Sequence, residues 1–445
     1  MPKPKKPSPA GEAKGTAAVL SSIQRLAAAS KRSEDGAIID VCRSANTIQS
    51  ASRYLLTTGI ESIDHLIGGG IPFGKITEVY GVESSGKTAL VMRSLIRGQL
   101  RKIVERDPET GELTPIGDNV DITLVFVDNE QSIENTERIM IEGVRVDCVL
   151  TRCDTVDQVF KIFDKTMEAL AAVEKETKRK QLCIVVVDTI AGTASREELS
   201  MNWDKEDYPR GPKMLRRGFR ILARRLQRQN IAAIFTNQVS GKFDATKKKG
   251  PMAGVVQPSD DDYSSPGGKA LKFWSHCRIF LTRERDFKLQ KGLRFPSGFV
   301  SYVCSTKNRS VPPGRFVRMC LLYSGGISDV YSILETLCTD KSYAERSTDG
   351  IALKLVQNGI EIKTFNDSGA DAPTIDEDED AEADGEEPVG KSVILKSVAD
   401  WPEMYAKHPE LHQLWEKFKE SIFNCAAVVK YSDETIADEE SAIEP

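Results

Sequence analysis

The sequence predicts an α/β fold with a mostly parallel central sheet. Three observations point to it: short β-branched strands, polar helix-length segments between them, and a glycine-rich turn that leads from a strand into a helix. Ile76–Tyr80, Thr123–Val127, Leu182–Val187 and Ala232–Thr236 are short, β-branched runs, as in strands buried on both faces. Their spacing leaves room for a crossover helix each time, which is the βαβ pattern. Arg278–Thr282 and Phe299–Ser305 read as antiparallel strands that extend the sheet.

In chain order, residues 1–16 read as a basic disordered arm with Lys3, Lys5 and Lys6 among prolines. Residues 17–54 hold a short N-terminal helix, marked by Val19, Ile23, Leu26 and Ala27 at helical spacing, and a linker that packs protomers together. Residues 55–332 form the α/β core. Residues 333–366 are expected to be a small α+β extension and 367–390 an acidic linker, with no Lys or Arg between Lys363 and Lys391. Residues 391–445 read as a helical tail carrying Trp401, Tyr405, Leu411, Leu414, Trp415 and Phe418.

Composition narrows the class. The chain has 445 residues, 40% hydrophobic and 29% charged, enough for two to four domains at roughly 100–200 residues each. No stretch approaches the ~20 apolar residues of a membrane span, and the start lacks the apolar core of a secretory signal. Nine cysteines without a CxxC pair and only four histidines speak against a disulfide scaffold or a zinc domain. Reduced thiols and a cytoplasmic location are expected.

Gly81, Val82, Glu83, Ser84, Ser85, Gly86, Lys87 and Thr88 spell G-x4-G-K-T, directly after the strand Ile76–Tyr80 and before a helical run that Ala89 opens. That context defines a P-loop. The two glycines let successive N–H groups turn toward phosphate oxygens, and the helix N-terminus adds partial positive charge. Lys87 reaches the β- and γ-phosphates, and the Thr88 hydroxyl is a ligand for Mg²⁺. Asp188 ends the strand Cys183–Val187, where strand C-termini face the nucleotide crevice, and serves as the carboxylate that holds the Mg²⁺ hydration shell. Glu130 follows another strand and is a candidate to orient or deprotonate the attacking water, with Asp128 as a positional rival. Gln238, at a fourth strand end, is an amide able to sense a γ-phosphate and pass its presence to the long loop after it.

Several ordered blocks together resemble the RecA family of DNA strand-exchange recombinases, in a bacterial or phage-like form. They are Leu56–Asp64, Gly70–Thr88, Val125–Glu130, Phe235–Val239 and Ser265–Trp274. The resemblance implies a RecA-type P-loop ATPase core, with Glu130 as catalytic base, Asp188 as the Walker-B acid and Gln238 as γ-phosphate sensor. It also implies that Lys307 and Arg309 reach across a subunit interface to the neighbour's ATP. Two stretches match the family's DNA-binding loops by position. One carries Trp203, Lys205 and Arg210; the other carries Lys242, Phe243, Lys247, Lys248 and Lys249, and ends at Gly267 and Gly268. Cations there would hold phosphates while an aromatic stacks on bases. The chain departs from the family in lacking a tyrosine after Glu130 and in the acidic Asp260–Asp262 of its long second loop.

After the first loop, Lys213, Arg217, Arg220, Arg224 and Arg228 share one helix face, opposite Leu215, Phe219, Leu222 and Leu226. The expected function is an ATP- and Mg²⁺-dependent recombinase that forms helical filaments on single-stranded DNA and pairs it with homologous duplex. A hexameric helicase, a regulatory P-loop ATPase and a non-hydrolysing DNA mediator are the alternatives.

Overall fold

Alternation along single strands decides how the core is built. In Lys180–Asp188, Leu182, Ile184 and Val186 join one apolar cluster, whereas Cys183, Val185 and Val187 join another on the opposite face. A strand apolar at both parities is stable only with helices on both sides. The computed structural model describes residues 52–107, 110–130, 140–141, 144–193, 211–227, 229–241, 263–264, 269–289, 293–347, 350–360, 375–376, 392–395 and 397–423.

The central sheet has nine strands: β1 (Lys75–Gly81), β2 (Val120–Asp128), β3 (Val149–Thr151), β4 (Lys180–Asp188), β5 (Ile231–Gln238), β6 (Cys277–Phe287), β7 (Gly298–Asn308), β8 (Phe316–Leu322) and β9 (Gly326–Ser328). Their spatial order is β9-β8-β7-β6-β1-β5-β4-β2-β3. The six strands from β6 to β3 are parallel, and β7, β8 and β9 form an antiparallel wing. The four strands expected to be parallel are so. The run at Arg278–Thr282, expected as antiparallel, is a correction in part: β6 is antiparallel to β7 but parallel to β1 on its other edge. A local pattern shows burial and cannot show which neighbour arrives on which edge.

Helix α1 (Glu61–Ile67) precedes β1, and α2 (Lys87–Gln99) covers one face through Leu90, Val91, Leu95 and Ile96. Helices α3 (Val156–Thr177) and α4 (Gly211–Leu226) cover the other. In α4 the stripe Leu215, Phe219, Leu222 and Leu226 is buried, while Lys213, Arg216, Arg217, Arg220 and Arg224 are exposed. The amphipathic reading of this helix therefore holds over its described residues, and Arg228 lies outside them. A short helix, α5 (Lys269–Trp274), leads into β6.

The C-terminal region is organised differently from the sequence reading. Strands β10 (Ala344–Arg346), β11 (Ile351–Leu353), β12 (Ile375–Asp376) and β13 (Ser392–Leu395) form one antiparallel sheet. Leu353 stands opposite Val393, so both ends of the acidic stretch are fixed in a single sheet. Ile375–Asp376, inside the stretch, pairs with β13 of that same sheet, so the stretch is not a tether between two modules. The aromatic segment is likewise no separate tail. Trp401 of α7 (Trp401–Lys407) and Trp415 and Phe418 of α8 (Pro409–Phe423) are buried in the same cluster as the α2 side chains. Lys419 Nζ meets Glu61 Oε1 of α1 at 2.5 Å, and Glu335 of α6 (Asp329–Leu337) pairs with both Arg285 of β6 and Arg346 of β10. Trp401 donates its indole N–H to the Val330 carbonyl at 2.7 Å. Trp401→Ala should cost about 3–5 kcal/mol of stability, read as a lower denaturant midpoint at unchanged slope. Stability equal to the parent's would mean that the segment does not share the core.

Candidate active site

The C-terminal ends of β2, β4, β5 and β1 lie side by side: Asp188 is level with Asp128, and Gln238 with Gly81. The sheet thus delivers its chain ends to one crevice, as parallel sheets do. At Gly81 a Cβ would sit 1.9 Å from the Leu281 carbonyl oxygen, so β1 and β6 can approach there only with glycine. Gly86, at φ +89°, is in the left-handed region and turns the loop into α2. Ser85 Oγ donates to the Val82 carbonyl at 2.7 Å, and Ser301 Oγ of β7 donates to the Ser85 carbonyl at 2.9 Å. The loop is therefore pinned from within and from the antiparallel wing.

Lys87, the first residue of α2, is buried, and its ammonium donates to the Val82 carbonyl at 2.7 Å. Burial pulls its pKa down, opposed by the charges of Glu130, Asp188 and Glu83. The Thr88 hydroxyl donates to Asp188 Oδ2 at 2.8 Å, and the Thr236 hydroxyl bonds the other Asp188 oxygen. A hydroxyl and a carboxylate held together at the loop form the hard-oxygen pair that suits Mg²⁺.

Glu130 faces the same cavity. Gln238 Nε2 donates to Glu130 Oε1 at 2.7 Å, and the Asn129 and Glu130 N–H groups both point to the Asp188 carbonyl, at 2.7 and 3.3 Å. Desolvation by the cavity walls, then the nearby Asp188 charge, raise the Glu130 pKa above its ordinary value. Asp128, the rival, is fully buried within β2 and does not line the cavity.

The cavity measures about 460 Å³ and is walled by Glu83 through Ala89, together with Glu130, Asp188 and Gln238. Gly81, the last residue of β1, and Val82 precede these residues and do not line the cavity. Three further wall residues were not foreseen: Arg283, Phe299 and Tyr323. The Arg283 guanidinium lies 4.7 Å from the Phe299 ring centroid, and it bonds Asp286 at 2.5 Å and the Tyr323 hydroxyl at 3.2 Å. They come from β6, β7 and the end of β8, so no local spacing unites them. The one available cue was an aromatic, Tyr323, set just before Gly325 and Gly326.

Lys307 and Arg309 are not brought to this cavity. They sit at the end of β7 beside the C-terminus of α5, where Lys307 Nζ donates to the Lys272 and Phe273 carbonyls at 2.8 and 2.9 Å. Arg309 reaches the Phe273 carbonyl at 3.5 Å. Burial, then the cations Lys75, Arg309 and Lys307, push the neighbouring His276 down to about 4. Trp203, Lys205, Arg210, Lys242, Phe243, Lys247, Lys248, Lys249, Gly267 and Gly268 lie outside the described residues. What is described is the base of the second stretch: Ser240–Gly241 pairs antiparallel with Tyr263–Ser264, immediately after Gln238. Among the described residues no group of three or more His, Cys, Asp or Glu side chains is gathered as a metal-ion cage, and no helix is long and apolar enough to cross a membrane.

Comparison with known proteins agrees with this geometry. The model of the RecA N-terminal domain matches residues 22–105 and 115–328, and its break falls at the hairpin formed by Ile103–Arg106 and Leu113–Pro115. The chain is 28% identical to Protein RecA of Aquifex pyrophilus over 313 residues, which is 70% of this chain and 76% of that one. It is 27% identical to Protein RecA of Azospirillum lipoferum over 317 residues, covering 70% and 75%, and 26% identical to that of Crocosphaera subtropica over 285 residues, covering 63% and 68%. With the crevice, the P-loop and the family model in agreement over the same core, the chain belongs to the RecA family and carries its ATP-binding ATPase domain.

Proposed function

We propose that the protein is an ATP-dependent recombinase that assembles head-to-tail on single-stranded DNA and carries out homologous pairing and strand exchange in recombination and repair. The observation that supports this most is the bond from Gln238 to Glu130. It ties the carboxylate placed for hydrolysis to the residue from which the chain runs into the long second stretch.

In this reading the loop N–H groups and the N-terminus of α2 receive the phosphates, and Lys87 supplies positive charge to the β- and γ-groups. Thr88 and Asp188 would hold Mg²⁺, which offsets phosphate charge during transfer. Glu130 accepts a proton from water as the water oxygen bonds to the γ-phosphorus. The bond to the β-phosphate oxygen breaks, leaving ADP and phosphate. The raised pKa makes Glu130 a better base than an ordinary carboxylate, and Gln238 fixes its direction until a γ-phosphate competes for the amide. Lys307 and Arg309, seated away from their own chain's cavity, act on the neighbouring protomer's nucleotide. An interface of this head-to-tail kind does not close and builds open helical polymers. Trp203, Lys205, Arg210, Lys242, Phe243, Lys247, Lys248, Lys249, Gly267 and Gly268 are assigned to DNA, with the exposed cations of α4 leading toward it. A cytoplasmic, nucleoid-associated setting, or the host cytoplasm for a phage protein, fits the free thiols of the described cysteines.

Phosphate release and fluorescence anisotropy with a single-stranded oligonucleotide at graded salt test the proposal. DNA should accelerate release about tenfold or more, and affinity should fall steeply with salt as counterions are released. Turnover indifferent to DNA, with no binding, would make this a regulatory ATPase. Processive duplex unwinding without strand exchange would make it a helicase.

A further inference from the structure

We propose that the buried Glu78–Arg278 pair is a positioning unit that couples the γ-phosphate sensor to the strand carrying the cross-subunit cations. This rests on the roles given to Gln238 and Lys307 above.

The unit is continuous. Asn237, next to Gln238 on β5, donates its side-chain amide to Glu78 Oε1 of β1 at 3.2 Å. Arg278 Nε of β6 donates to Glu78 Oε2 at 2.5 Å. The Arg278 guanidinium lies over the Tyr80 ring, 4.1 Å from its centroid, and the Tyr80 hydroxyl bonds the Thr306 hydroxyl at 2.8 Å. Thr306 precedes Lys307 on β7, and Lys307 itself stands opposite Arg278 in the ladder. Four adjacent strands are thus linked by polar side chains.

Glu78 is wholly buried and Arg278 is 3% exposed. Such a pair is commonly no more stabilising than apolar residues of the same volume, because both charges lose their water. Directionality is what it supplies. Glu78 has one oxygen toward the sensor strand and one toward Arg278, so a shift of β5 at Asn237 changes how Arg278 is held. Arg278 in turn is stacked on the ring whose hydroxyl fixes Thr306. When Gln238 leaves Glu130 for a γ-phosphate, the movement at the end of β5 passes by this route to the β7 end that presents Lys307 to the neighbour.

Arg278→Lys keeps the charge but loses the planar stack, and Tyr80→Phe removes only the hydroxyl and leaves the packing. Each is measured for nucleotide affinity, thermal midpoint and DNA-stimulated phosphate release, alone and with Gln238→Ala. Nucleotide affinity should stay within about twofold, DNA stimulation should fall about tenfold, and neither variant should worsen Gln238→Ala further, since coupled residues are not additive. Tyr80→Phe keeps the test decisive should Arg278→Lys fold poorly. Stimulation preserved in Tyr80→Phe, or losses that multiply with Gln238→Ala, would overturn the coupling. If the parent protein itself ignores DNA, the functional reading fails and the coupling with it. A stimulated parent with unaffected variants overturns the coupling alone.

Discussion

Glu130→Gln should lower ATP turnover by about 10²–10⁴-fold, the usual worth of a positioned general base, with nucleotide affinity nearly unchanged. The substitution keeps the shape and an acceptor for Gln238, whose amide lies 2.7 Å from Glu130 Oε1 in the parent, so the cavity wall is preserved. What is lost is the basic oxygen. The pH dependence offers an independent check. Desolvation and the Asp188 charge raise the Glu130 pKa above the ordinary 4.5, so the acid limb of the parent's rate profile should lie above that value. Below that limb Glu130 is protonated and unable to take the water proton, so activity falls as pH falls. In the variant this limb should disappear. A variant that turns over at close to the parent rate, with the acid limb intact, would move the base elsewhere.

Lys307→Ala with Arg309→Ala should be as damaging for a different reason. Cations brought to a transferring phosphoryl group from a neighbouring protein are worth about 10³–10⁵ in rate. Neither side chain lines its own chain's cavity, and both sit on the carbonyls that end α5. Nucleotide affinity of the isolated chain should therefore survive. Mixing gives a sharper result. Equal amounts of this double variant and Glu130→Gln, assembling at random, should recover about a quarter of the parent turnover, one half times one half of the junctions, through the head-to-tail interface. Each is nearly inactive alone, yet one contributes the base and the other the cations. No recovery on mixing would place both functions in a single subunit.

The sequence made the parallel half of the molecule readable because its physics is local. Leu182–Val187 is apolar at both parities, and that pattern has few solutions other than a covered central strand. The P-loop was readable for the same reason, since glycine, lysine and threonine are required at neighbouring positions. What escaped was non-local. Glu78 and Arg278 are 200 residues apart, and nothing around either one announces the other. β11 and β13 lie on either side of the acidic stretch in sequence and pair in one sheet, so the composition boundary is not a domain boundary. Arg283, Phe299 and Tyr323 meet only because β6, β7 and β8 pair side by side. Trp401, Trp415 and Phe418 were seen as aromatics able to form a core, but periodicity could not show that this core is shared with α2.

Electron microscopy of the full chain with single-stranded DNA and a non-hydrolysable ATP analogue, beside Lys87→Ala, addresses the shared nucleotide itself. Regular helical filaments in the parent, lost in Lys87→Ala and showing nucleotide density between successive protomers next to Lys307 and Arg309, are the expected result. Closed rings, scattered monomers, or filaments equally regular in the Lys87→Ala protein would contradict it.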